Sequence, residues 1–351
     1  MAPRILILLH ETDPYPDGPS YFAWGLRDAW REMGIEVRIA RGLKELEPAD
    51  LVLPHVDLTV TPPEYREALD AVPNAVNAGV YDISKRRVSG QLVGPEDPWD
   101  GPVIVKTDRN HGGLPERRMK RAQRTLRSRI RYHLRIGARE KLPAPLVHGS
   151  DYMVFDRIAE VPDAAFEDPR LVVERFLPER EGDMYYLRWY LFLGDRYRSM
   201  RVGARNPLVK LAGRVSKERS LPVPEEIRAV REAWGLDFGK IDYVMYEGSP
   251  VALDISRTPS DMPPPQRLTE CRPYARGVLP LLARAAGAGV EFDHCDVDRP
   301  PARELCPEFS TGRPAQRLIE SRASCRFPKI ALAGVRNNTV GTFQNGHQQR
   351  Q

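Results

Sequence analysis

Residues 240–259 decide how this chain of 351 residues is read. They run Lys240-Ile241-Asp242-Tyr243-Val244-Met245-Tyr246, then Glu247-Gly248-Ser249, then Pro250-Val251-Ala252-Leu253-Asp254-Ile255-Ser256-Arg257-Thr258-Pro259. Two runs rich in β-branched and aromatic residues around a glycine-bearing turn predict an antiparallel hairpin. Each strand carries one acid, Asp242 or Asp254, in otherwise apolar surroundings. A carboxylate in such a strand is costly to bury unless it is paired or binds a cation. Two facing carboxylates repel, and a hard divalent ion such as Mg²⁺, which prefers oxygen ligands and bridges to phosphates, resolves the repulsion. A salt bridge to a neighbouring arginine is the alternative.

Upstream, Val103 to Lys106 reads as a strand ending on a lysine, followed at once by Thr107-Asp108-Arg109-Asn110-His111-Gly112-Gly113. A Gly-Gly loop lets main-chain N–H groups approach phosphate oxygens while the lysine supplies a point charge. Val172-Val173-Glu174-Arg175-Phe176-Leu177 is a strand running out into the polar segment Pro178 to Asp183. Further strands are expected at Tyr152 to Phe155, Met184 to Leu193 and Arg196 to Val202, with a helix from about Glu225 to Trp234. At the start, the uninterrupted apolar run Ile5 to Leu9 reads as a strand buried on both faces. Phe22, Leu26, Trp30 and Met33 follow at helical spacing, and Gly34 ends that helix. Strands at Ile35 to Ile39 and Leu51 to Pro54 and a helix opened by Pro62-Pro63 complete a small doubly wound α/β unit. No Gly-x-Gly-x-x-Gly follows the first strand, which argues against dinucleotide binding.

Composition sets the outer limits. Hydrophobic residues make up 41% and charged residues 29%, ordinary for a globular chain and incompatible with collagen-like or wholly disordered classes. The early apolar run is far short of the roughly 20 residues of a membrane span and no small-residue cleavage site follows it, so neither a membrane helix nor a signal peptide is expected. Cys271, Cys295, Cys306 and Cys325 form no Cys-x-x-Cys pair, and a cytoplasmic location is expected. The net charge of +5 is a local feature: residues 117–141 carry eleven Lys and Arg against the single acid Glu140, and the rest of the chain is net acidic. Met119, Ala122, Leu126 and Ile130 give that basic segment one narrow apolar stripe, as on a helix. Only Tyr132 and His133 interleave with its arginines, which argues against nucleic acid as the partner. Patterning decays past about Ala302, and 301–351 reads as an irregular or disordered tail.

Taken in order, the strand-end lysine, the Gly-Gly loop, the Val-Val-Glu-Arg-Phe-Leu segment and the paired acids resemble the ATP-grasp superfamily, the fold of D-alanine:D-alanine ligases and of enzymes that add glutamate to proteins. The resemblance covers roughly residues 70–262. It implies an N-terminal α/β domain (1–75), an α+β grasp domain (76–300) holding the basic insertion 117–141, and ATP and Mg²⁺ as cofactors. By the same resemblance Lys85 and Lys106 are the two phosphate-binding lysines, and Gly112 and Gly113 belong to the loop over the triphosphate. Glu174, Arg175, Phe176 and Leu177 form the adenine hinge, and Glu181 holds the ribose. Arg188 and Arg201 face the triphosphate, Asn206 and Lys210 contact the acyl phosphate, and Asp242, Asp254 and Ser256 are metal ligands. Ser256 stands where the superfamily usually has asparagine.

The activity so implied joins a carboxylate, activated as an acyl phosphate, to an amine or thiol. The substrates would be small molecules, with the basic segment steering an anionic one. A phosphotransferase on the same fold and a lapsed ATP-binding module that docks a polyanion are the alternatives.

Overall fold

The computed structural model describes residues 2–14, 21–122, 152–209, 214–260, 264–289 and 294–298. The tail at 301–351, residues 123–141 of the basic segment and Lys210 lie outside the described residues.

Strand and helix alternate at the start, as expected: β1 (Arg4–Leu9), α1 (Phe22–Glu32), β2 (Glu36–Arg41), β3 (Leu51–Pro54) and α2 (Pro63–Asp70). β1 lies between β2 and β3 and is parallel to both. A central parallel strand is covered on both faces, which is why Ile5 to Leu9 carry no polar side chain. Period-two alternation divides that run: Ile5, Ile7 and Leu9 pack with Phe22, Leu26 and Trp30 of α1, whereas Leu6 and Leu8 pack with Tyr65 and Leu69 of α2. α1 stops at Gly34, whose φ of +79° is open to glycine without strain, and Ile35 N–H donates back to Trp30 O at 3.0 Å.

The core beneath α1 continues past the first 75 residues. Leu191, Leu193, Phe238, Cys271, Tyr274 and Leu281 belong to the same buried cluster, and Trp30 Nε1 donates to Ala275 O at 3.0 Å. Residues 1–300 accordingly cluster as one compact unit.

The middle of the chain builds α3 (Lys85–Val88), β4 (Val103–Thr107), α4 (Leu114–Ala122), β5 (Met153–Phe155), α5 (Asp163–Glu167) and β6 (Leu171–Arg175). β4 pairs antiparallel with β5 on one side and β6 on the other. A larger sheet follows, made of β7 (Glu179–Glu181), β8 (Met184–Leu193), β9 (Arg196–Ala204), β10 (Arg214–Arg219), β11 (Phe238–Tyr246) and β12 (Ser249–Ser256), with α6 (Glu225–Ala233) before β11. Its order is β10-β9-β8-β11-β12, with β7 on β8. After helices α7 (Pro264–Ala275) and α8 (Val278–Ala285), the short β13 (Cys295–Asp296) adds parallel to β9. A parallel α/β unit followed by antiparallel α+β layers is the architecture the sequence led us to expect. No described helix is long and apolar enough to cross a membrane.

One junction depends on missing side chains. Gly194, at the β8–β9 turn with φ +53°, lies so close to Gly277, between α7 and α8, that a Cβ added to it would stand 1.9 Å from Gly277 O. A Cβ on Gly277 would meet Leu193 O at 2.0 Å. Gly194→Ala is therefore expected to cost about 2 kcal/mol or more, from backbone strain and overpacking together. Chemical denaturation measures it, and an unchanged midpoint would contradict the close approach.

Candidate active site

The loop leaving β4 turns through three residues with positive φ, His111 at +48°, Gly112 at +61° and Gly113 at +71°. Two glycines take this conformation at no steric cost, which is the local reason for the Gly-Gly pair. The turn brings Asn110 inward. Its main-chain N–H donates to Thr59 Oγ1 at 3.0 Å, its Nδ2 donates to Ile255 O at 2.8 Å, and its Oδ1 accepts from Lys85 Nζ at 3.2 Å. The loop is thereby pinned to β12.

Lys85 opens α3 and is 1% exposed. Besides Asn110, its Nζ donates to Asp254 Oδ2 at 3.2 Å and to Arg109 O at 3.4 Å. Burial pulls the pKa of this ammonium down, but Asp254 and the other anionic neighbours outweigh burial and leave it above the ordinary lysine value. Lys106, on β4, places Nζ 2.7 Å from Glu174 Oε2 on the adjacent β6, both residues buried. Burial holds the Glu174 carboxyl above the usual carboxylate range against the pull of Lys106.

Asp242 and Asp254 are register partners on β11 and β12, so their side chains share a face. Burial raises the pKa of Asp242; Lys240 opposes that rise and the facing Asp254 adds to it. Lys240 reaches Asp242 Oδ1 at 3.0 Å while lying over the Trp189 ring, 5.1 Å from its centroid.

These groups converge. Lys85, Lys106, His111, Gly112, Glu174, Arg175, Phe176, Leu177, Asp242 and Asp254 all line one cavity of about 590 Å³ between the two antiparallel sheets, with Ile104, Arg117, Tyr152 and Leu187 among the other lining residues. Gly113 is buried just behind the loop. Ser256 pairs with Lys240 one step along the sheet from the aspartates and does not line the cavity.

Arg188 and Arg201 are placed elsewhere. Trp189, not Arg188, is the register partner of Asp242, so strand alternation sends Arg188 and its partner Arg201 to the opposite face. There both bind the buried Glu179: Arg188 Nε at 2.8 Å from Oε2 and Nη2 at 2.8 Å from Oε1, Arg201 Nε at 3.0 Å from Oε1. Met245 N–H donates to the same carboxylate at 2.9 Å. Burial would raise the pKa of Glu179, but these donors hold it below the usual range. Glu181 is largely exposed and pairs with Arg201. Asn206 closes its own turn by accepting from Leu208 N–H at 2.8 Å, while Pro207, Leu208 and Val209 line the cavity.

Sequence reasoning passed over three residues: Tyr152, which lines the cavity, and Asn110 and Lys240, which hold Lys85 and Asp242 from behind it. Lys240 had a legible signal, since residues two apart on a strand share a face and Asp242 was already singled out. Asn110 and Tyr152 carried none, because their roles depend on contacts with distant segments.

No family model matches the chain, and no curated protein does. Solved structures similar to it are ATP-grasp ligases. D-alanine–D-alanine ligase from Bacillus anthracis is 11% identical with a TM-score of 0.41, the match covering 81% of this chain and 97% of that one. A RiPP-associated ATP-grasp ligase from Chryseobacterium gregarium, solved with ADP and a leader and core peptide, is 10% identical with a TM-score of 0.46 over 81% and 97%. A RimK-domain ATP-grasp protein from Sphaerobacter thermophilus is 12% identical with a TM-score of 0.41 over 80% and 98%. The likeness is one of fold.

The aspartate pair gives a stability test. Because the folded pKa of Asp242 lies above its unfolded value, the folded chain loses stability as pH rises from the unfolded value through the folded one. Asp242→Asn removes that loss, so relative to wild type the variant should gain stability as pH rises above the ordinary aspartate range, from about pH 4 upward. Denaturant midpoints across that range check it, and a variant whose relative stability falls with rising pH would contradict the arrangement.

Proposed function

We propose that the chain is an ATP- and Mg²⁺-dependent ligase that activates a carboxylate as an acyl phosphate and joins it to an amine or thiol. The observation that carries this reading is the convergence of two buried lysines and two facing carboxylates on one cavity whose remaining wall is largely apolar.

The donor set fits Mg²⁺. Asp242 and Asp254 are hard oxygen donors held opposite each other, an arrangement that a divalent cation would bridge. Among the described residues no group of three His, Cys, Asp or Glu could hold a metal, which suits an ion that takes one or two carboxylates and completes its shell with phosphate and water. When bound, Mg²⁺ neutralises phosphate charge and polarises the phosphoryl group that is transferred.

The chain's own residues do the rest. Ile104, Phe176 and Leu177 offer apolar walls for a nucleobase. The N–H groups of Arg175 and Phe176 donate to Gln91 O and Pro102 O, both at 2.8 Å, so Leu177 is the hinge residue whose N–H serves the base. Lys85 and Lys106 meet the phosphates, and their acid partners hold both side chains in place before nucleotide arrives. Lys240, on the same face as Asp242 but outside the cavity lining, orients that carboxylate by pairing with it. The acid's carboxylate oxygen attacks the γ-phosphorus, ADP leaves, the nucleophile attacks the acyl carbon, and phosphate departs as the amine or thiol gives up a proton. Positioning and charge neutralisation suffice, and no covalent enzyme intermediate is needed.

Hydroxylamine tests the reading because it intercepts an acyl phosphate as a hydroxamate. With ATP, Mg²⁺ and pools of amino and dicarboxylic acids, hydroxamate should form in step with ADP, and Lys106→Ala should slow both at least about 100-fold. ADP released with a phosphorylated alcohol and no hydroxamate would make the protein a phosphotransferase. Undiminished turnover in Lys106→Ala would remove the site assignment.

A further inference from the structure

A second cavity, of about 690 Å³, shares no lining residue with the first. α6 and α8 form two of its walls, and residues 73–75 and 78 close it from the side of the small parallel sheet. Two arginines one helical turn apart on α6, Arg228 and Arg231, look into it. Arg231 is 6% exposed, yet it spends its donors on neutral oxygens alone: Leu236 O at 2.9 Å, Tyr190 Oη at 3.0 Å and Gly194 O at 2.6 Å. Arg228 likewise reaches only Val223 O at 3.4 Å and Tyr197 Oη at 3.3 Å. Among the described residues neither forms an ion pair. Three of the five N–H groups of Arg231 are used, and two of those of Arg228.

A buried guanidinium is expensive to keep unless a counter-charge offsets its lost hydration. Aromatic faces supply part of the compensation, with Arg231 4.1 Å from the Phe192 centroid and Arg228 5.2 Å from that of Tyr197. Those rings also fix both guanidinium planes, which preorganises them for an anion. The acids on the cavity wall do not supply the counter-charge: Asp237 is engaged by Arg284 at 2.8 Å, and Glu232 is exposed at the rim. Asn74 and His294 add polar groups to the wall, and Leu51, Ala75, Leu236 and Leu281 give it an apolar surface.

We propose that this cavity is a binding site for a small organic anion whose carboxylate or phosphate group is held between Arg228 and Arg231 and whose body packs on the apolar wall. The site is independent of the ligase reading, because it touches none of the residues assigned to nucleotide.

Titration calorimetry of the full chain carrying Lys106→Ala, which weakens phosphate binding at the first cavity, tests it with inorganic phosphate and with succinate. At least one should bind saturably at a single site, and which of the two binds tells whether the site is built for phosphate or carboxylate. Arg228→Gln, which leaves the buried Arg231 contacts intact, should weaken that binding at least about tenfold, as expected for loss of a charge-assisted hydrogen-bond partner. Ala78→Glu should do the same by supplying a carboxylate from the chain itself, without touching either arginine. No saturable heat from either anion up to about 10 mM, or binding that survives both substitutions, would overturn the proposal.

Discussion

Holding Asp242 and Asp254 face to face is the constraint around which the site is arranged. Two half-buried carboxylates facing each other on adjacent strands repel, and the structure answers from three directions. Lys85 arrives from α3, Lys240 from the same strand as Asp242, and Asn110 fixes both the approach of Lys85 and the main chain of β12. Each of these elements is placed by something else in turn. The Gly-Gly turn delivers Asn110, and the strand β4 that precedes it holds Lys106 against Glu174. The cavity is thus framed by buried and half-buried charges that hold one another in place.

The large sheet keeps two polar systems apart by parity. On one face lie the aspartates and Lys240; on the other, Glu179 gathers Arg188, Arg201 and the Met245 N–H. In the second system a buried carboxylate that accepts from two guanidinium groups is satisfied, and it ties β7 to β8, β9 and β11. Removing one arginine would leave Glu179 with a single guanidinium and the Met245 N–H, so part of its desolvation cost would go uncompensated.

Much of this was legible before any coordinates. The hairpin at 240–256, the strand at 184–193 and the opening strand–helix alternation all carry strong periodicity, and their boundaries fall within a residue or two of those observed. Asp242 and Asp254 stand out because charge inside an apolar strand is conspicuous, Lys106 because it ends a strand just before the Gly-Gly loop, and Glu174 only through the resemblance. What failed to show was parity between strands. Arg188 and Asp242 sit on neighbouring strands, but a shift of one residue in register exchanges faces, and only the pairing of Asp242 with Trp189 settles which face Arg188 takes. β10, with the exposed sequence Arg-Val-Ser-Lys-Glu-Arg, has no apolar alternation to announce it. Asn110 acts through contacts with residues 59 and 255, and no local pattern reports those.

The central claim is that the facing aspartates make nucleotide binding depend on a divalent ion. Titration calorimetry with a non-hydrolysable ATP analogue, with and without Mg²⁺, addresses it most directly. The account requires saturable binding in the wild type that strengthens with Mg²⁺, and loss of that Mg²⁺-dependent gain in Asp254→Ala. Equal affinity with and without the metal, or an Asp254→Ala chain that responds to Mg²⁺ as the wild type does, would contradict it.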